Sequence, residues 1–140
     1  NLSQVPAQSI TVTIEACFSG TSEEGNVVSD ISPALLNVEN PIVGIENSVV
    51  FSAGTAQQVS TWYNEKGHGL FTYHFLDGLR GKADTNGDKS ITAEELGEYV
   101  TNKVSYQARR FHNREQTPQV VGQNKERVLV EYDNLPTDGE

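Results

Sequence analysis

The sequence predicts an α/β domain with a mainly parallel sheet flanked by helices, and three features predict it. Ile10, Val12 and Ile14 alternate with Thr11 and Thr13, a β-branched run with the two-residue period of a strand. Val49-Val50-Phe51 is a short apolar run closed by Ser52-Ala53-Gly54, which reads as a buried strand bounded by a turn. Two later stretches repeat apolar residues at helical spacing, so strands and helices follow one another along the chain. With 140 residues and 36% hydrophobic content there is material for one core rather than two.

Asn1 to Gln8 is polar and holds Pro6, a lead-in loop to the first strand. From Thr21 to Asn47 periodicity disappears while Gly25, Pro33, Pro41 and Gly44 accumulate. A connection of that length inside a compact domain is usually functional or mobile. Ser32 as N-cap and Pro33 at the first helical position predict a short helix over 33–36. A polar stretch with Trp62 and Tyr63 then runs to Gly67-His68-Gly69. Leu70, Phe71, Phe75, Leu76 and Leu79 predict a helix over 70–79, with Gly69 before it and Gly81 after.

The next helix is predicted over 92–111. Thr92-Ala93-Glu94-Glu95 is a capping box, in which Thr92 and Glu95 satisfy each other's backbone donors. Leu96, Tyr99, Val100, Val104 and Gln107 continue one face, and Arg109 and Arg110 suit the last turns. Val128-Leu129-Val130 is a final strand, and Asp133 to Glu140 a polar tail expected to fray. The folded unit is therefore expected over 1–132.

The formal charge of −9 argues against nucleic acid or an anionic membrane as partner. No apolar run approaches the roughly 18–20 residues needed to span a bilayer. There is no Lys or Arg before Lys66, against seven acidic residues (Glu15, Glu23, Glu24, Asp30, Glu39, Glu46 and Glu65). That acidic half suits a basic substrate, and equally it could be plain solvated surface. The chain has no methionine, and we expect it to be a piece of a longer polypeptide.

The first predicted strand leads through Glu15-Ala16 to Cys17, the only cysteine, followed by Phe18-Ser19-Gly20. A lone cysteine is more often a small buried hydrophobe. Here a strand fixes the backbone and a Ser-Gly turn follows, placing the side chain at the strand's carboxyl edge, where open α/β sheets bind ligands. A thiol becomes a nucleophile after only a modest fall in pKa. We therefore read Cys17 as catalytic.

Ile14-Glu15-Ala16-Cys17-Phe18-Ser19-Gly20 resembles the cysteine motif of caspase-like peptidases, in particular the metacaspase-type and bacterial branch. The likeness continues in Val49–Gly54, in Gly67-His68-Gly69-Leu70-Phe71-Thr72-Tyr73 leading to Gly78-Leu79-Arg80-Gly81, and in Gln116-Thr117-Pro118. It departs from animal caspases, whose signature is Gln-Ala-Cys. The resemblance implies the C-terminal portion of a caspase-like three-layer fold, with Cys17 as nucleophile. It also implies a partner histidine about 50 residues upstream. Only residues 1–16 precede Cys17, so that histidine is expected on an upstream segment or a companion chain. His68, His74 and His112 all follow the cysteine and are read as ordinary helix-flank or surface residues.

In that family the residue two before the cysteine lines the pocket for the side chain preceding the cut. Glu15 occupies this position, which implies cleavage after Arg or Lys and rejection of Asp. Ser52 and Ala53 match the segment that pairs with substrate backbone by strand addition. The alternative for Glu15 is a solvent-facing strand end. If cleavage follows Lys or Arg, the Thr21–Asn47 loop contains no such residue and should survive self-cleavage.

A second cluster, Asp84-Thr85-Asn86-Gly87-Asp88-Lys89-Ser90-Ile91-Thr92-Ala93-Glu94-Glu95, matches an EF-hand loop at positions 1, 3, 5, 8 and 12. Asp84, Asn86, Asp88, the Ser90 carbonyl and Glu95 are the candidate Ca²⁺ ligands. Lys89 stands where the loop wants glycine, adding a positive charge and an unfavourable backbone. The peptidase chemistry itself requires no cofactor. Two function classes follow. One is a cysteine endopeptidase; the other is a non-catalytic caspase-like or Ca²⁺-responsive module that binds extended peptides. An intact Glu-Ala-Cys turn favours the first.

Overall fold

The structure is a computed structural model that describes residues 4–15, 21–22, 25–26, 46–55, 58 and 60–132. Cys17, the helix predicted over 33–36 and the 133–140 tail lie outside the described residues. The architecture is mixed α/β, with small sheets and two helices.

Strand β1 (Ile10–Ile14) and strand β4 (Ser48–Ser52) fall where the alternating and the continuous apolar runs predict them. Between them β2 (Thr21–Ser22) pairs antiparallel with β3 (Gly25–Asn26). β4 is the centre of a three-stranded sheet in the order β1-β4-β8, where β8 is Gln119–Gly122. Its register is parallel to β1, with Ile10 opposite Ser48 and Ile14 opposite Ser52, and antiparallel to β8. Flanked on both edges, β4 is buried at every position, which is why its sequence shows no alternation. β1, at the sheet's edge, keeps the alternation: its isoleucines and valine are half-buried and its threonines exposed.

The expected mainly parallel sheet is therefore a correction: among the described residues only β1–β4 is parallel. The chain between β4 and β8 holds two helices and three short strands rather than a single crossover helix, so nothing requires β8 to run parallel to β4.

A short hairpin, β5 (Trp62–Tyr63) with β6 (His68–Gly69), delivers the chain to helix α1 (Leu70–Asp77). The predicted helix 70–79 thus ends slightly early, in a π-helical turn over Gly78–Lys82 where Gly81 takes φ 120°. A side chain would oppose that backbone, so glycine terminates the helix. Helix α2 (Ala93–His112) buries Leu96, Val100, Val104 and Ala108, one residue per turn along a single stripe. These join Val49, Phe51, Leu70 and Phe71 in the core, with Phe75 edge-on to Phe51 at 5.2 Å between ring centroids. β9 (Val128–Glu131) pairs antiparallel with β7 (Ser90–Thr92), a strand inside the acidic loop that the sequence does not signal. No helix among the described residues is long and apolar enough to cross a membrane.

Candidate active site and acidic loop

Glu15 follows β1 directly, and its side chain is placed by helix α1. Its Oε2 accepts from the backbone N–H of Thr72 at 3.2 Å and from the Thr72 hydroxyl. Thr72 is the third residue of α1, and its N–H is one of the donors with no acceptor inside the helix. The N-cap residue, Gly69, offers no side-chain cap, so a carboxylate from 57 residues away performs that task. An anion is favoured there by the helix dipole as well. Gly69 has a packing reason to be glycine: a Cβ would stand 2.3 Å from both carboxylate oxygens. Oε1 of Glu15 is buried, and among the described residues it accepts no hydrogen bond. The solvent-facing strand end is therefore not what the structure contains.

Ser52 and Ala53 lie on the next strand over. The Ala53 N–H donates to the Ile14 carbonyl at 2.9 Å, and its C=O accepts from Gln116 Nε2 at 2.8 Å. Ser52 Oγ donates to the Gly54 carbonyl. Ser52 is paired with Ile14 of β1 and with Gln119 of β8, so this segment sits inside the sheet rather than at an edge. Adding a substrate strand at Ser52–Ala53 would require displacing a neighbour.

Gln116 is the functional-looking residue that sequence reasoning left without a role. It is 1% exposed, and its Oε1 accepts from the Thr61 N–H at 2.9 Å while its amide holds Ala53. Gln58 makes a parallel clasp, its Oε1 accepting from the N–H groups of Thr55 and Thr117. Two glutamines thereby pin the turn after β4 to the segment before β8. A signal existed in Gln116-Thr117-Pro118, but amide side chains carry no periodicity that announces burial.

Of the histidines, His68 is exposed in β6, next to the Gly69 that Glu15 covers. His112 ends α2. His74 is 4% exposed, and both ring nitrogens lack a hydrogen-bond partner. Tyr73 stands edge-on to its ring at 5.1 Å and Tyr63 lies at 6.3 Å. Burial pushes its pKa below the usual imidazole value, against smaller opposing effects from Gln107 and Asp77. A histidine enclosed in this way, among Tyr63, Tyr73 and Tyr99, is core material. Beside it the Tyr99 hydroxyl donates to Asp77 at 3.0 Å, and burial first, then Asp77, raises that phenol above its usual range.

The acidic loop closes on its own groups. Asp84 accepts from the N–H groups of Gly87 (2.7 Å) and Lys89 (3.1 Å), and Asn86 accepts from Asp88 N–H. Asp88 Oδ1 accepts from the Ser90 hydroxyl and N–H, which hold its carboxyl below the ordinary carboxylate range. Glu95 completes the capping box through Oε2, while Oε1 accepts from the Asn86 amide at 2.9 Å. Lys89 takes φ 67°, so the backbone makes the left-handed turn an EF-hand loop requires despite its side chain. Among the described residues no group of three His, Cys, Asp or Glu is arranged to hold a metal ion.

Among the described residues, one surface hollow of 500 Å³ is bordered by Gly97, Thr101 and Val120 and another of 560 Å³ by Tyr106 and Arg109; neither of these borders Glu15 or Ser52. Compared with known families, curated proteins and solved structures, the chain matches none.

Proposed function

We propose that this chain supplies the nucleophile and part of the substrate cleft of a caspase-like cysteine endopeptidase that cuts after Arg or Lys. The observation that carries the proposal is the state of Glu15, two residues before Cys17. Its carboxylate is tied to the head of α1 through one oxygen, and the other is buried without a partner among the described residues. A buried acceptor without a donor costs on the order of 1–3 kcal/mol. A cationic side chain brought there by a substrate would supply the missing donor and opposite charge. Cys17 would then attack the carbonyl of the same residue, its own N–H helping to hold the oxyanion.

The proton of Cys17 must go to a base. His74 is enclosed, so this reading takes the histidine from upstream of Cys17 or from a companion chain. The test is mass spectrometry of the protein together with its upstream segment, after exposure to an Arg-terminated peptidyl electrophile. We expect a Cys17 adduct with the Arg probe, none with an Asp-terminated probe, and none in Cys17→Ala. Absence of any adduct, with and without Ca²⁺, would leave the non-catalytic peptide-binding module.

Calcium enters this reading as an accessory at Asp84, Asn86, Asp88, Ser90 and Glu95, with no part in the chemistry. What supports it is the left-handed turn at Lys89. What opposes tight binding is Glu95, both of whose oxygens are already engaged.

A further inference from the structure

The contacts of Glu15 are unequal in a way that bears on which cations the site would accept. Each carboxylate oxygen offers two lone-pair directions. Thr72 fills both on Oε2, one with its N–H and one with its hydroxyl, whereas Oε1 receives nothing from the described residues. The carboxylate occupies the space that a Cβ at Gly69 would need, 2.3 Å from both oxygens. One turn of α1 therefore determines which oxygen remains to be used.

We propose that Thr72 is a positioning residue that sets the choice between Arg and Lys. Through Oε2 it holds Glu15 so that Oε1, buried in this structure, is the one oxygen left without a described donor for a cation that reaches it. This inference rests on the reading of Glu15 as the group that binds the residue before the cut. A guanidinium gains over an ammonium when it can present two parallel N–H groups to two carboxylate oxygens. With Oε2 saturated the fork has a single acceptor, and that advantage is lost. The site consequently takes Lys and Arg on similar terms. Removing the Thr72 hydroxyl frees a lone pair on Oε2 and restores the fork.

The test uses benzamidine, a planar two-donor cation, and benzylamine, an ammonium, neither of which needs a catalytic base. Their affinities are measured by titrating the ¹⁵N-labelled chain and following the Gly69 and Thr72 amides. For the unaltered chain we expect the two affinities to agree within about threefold, and Glu15→Gln to bind neither. Thr72→Val should shift the ratio about tenfold toward benzamidine, with Thr72→Ala doing the same and Thr72→Ser restoring parity. A merely structural threonine would change both affinities together and leave the ratio alone. If the unaltered chain binds neither cation, or Glu15→Gln binds both, the Glu15 reading fails and takes this inference with it. If those controls behave but Thr72→Val and Thr72→Ala keep the original ratio, Thr72 is only a helix cap and this inference alone is overturned.

Discussion

Among the described residues two helices each begin with a glutamate bonded to a threonine, and the two arrangements are built in opposite ways. At α2 the partners are three residues apart: Thr92 and Glu95 exchange backbone and side-chain hydrogen bonds of 3.0 to 3.2 Å. At α1 they are 57 residues apart, and Glu15 reaches in from the end of β1. The local cap leaves no oxygen idle, since Glu95 gives its second one to Asn86. The distant cap leaves Oε1 of Glu15 without a donor among the described residues. A cap written within one turn serves its helix and nothing else. A cap assembled across the fold ties a strand end to a helix and keeps an acceptor in reserve at the position two before Cys17.

The largest break in this comparison should come from Gly69→Ala, because the new methyl collides with a carboxylate that Thr72 holds in place. We expect a loss of about 2–3 kcal/mol, read from denaturant unfolding, typical of forcing an extra carbon into a packed site. An unchanged midpoint would mean that Glu15 swings away freely. Pairing Glu15→Gln with Thr72→Val in a double-mutant cycle should then return a coupling of roughly 1.5–3 kcal/mol, the scale of a hydrogen bond to a charged group. Independent effects would show the contact to be incidental. The local cap should be weaker: Thr92→Ala is expected to cost about 1 kcal/mol.

A smaller effect of opposite sign is expected at the loop between the helices. Lys89→Gly relieves a left-handed backbone and should stabilise by about 0.5–1 kcal/mol while tightening any Ca²⁺ binding seen by calorimetry. Destabilisation would mean that the lysine side chain holds the turn.

The least disruptive probe changes a single proton. His74 has a lowered folded-state pKa, so the unfolded chain takes a proton more readily than the folded one. Its contribution is intact above the unfolded value of about 6.5 and is lost as pH falls below it toward the folded value. Melting temperature should therefore decline between pH 7 and pH 5, and His74→Phe should flatten that decline.

What the sequence made legible follows the same division between local and distant. The Thr92–Glu95 box, the strands at Ile10–Ile14 and Ser48–Ser52, and the helical face of Leu96, Tyr99, Val100, Val104 and Gln107 each declare themselves within one short window. Their structures match that reading. Glu15 could be singled out by its position beside Cys17, but its partner could not, because nothing near Thr72 announces a carboxylate from 57 residues away. Gln116 was hidden for the same reason, holding Thr61 and Ala53 from the far side of two helices. β7 escaped because its three residues share a window with the acidic loop, and the composition of that loop dominates. The direction of β8 depends on the path the chain takes from β4, which no single window contains.

The central position of β4 has a consequence for how the chain comes off the ribosome. One neighbour, β1, is complete long before β4 emerges, but the other, β8, does not exist until residue 122 has been made. For that interval Ser48–Ser52, an uncharged and largely β-branched or aromatic run, exposes a bare edge of the kind that templates aggregation. The face of that strand is covered once α1 and α2 are in place, because Val49 and Phe51 share one core with residues of both helices.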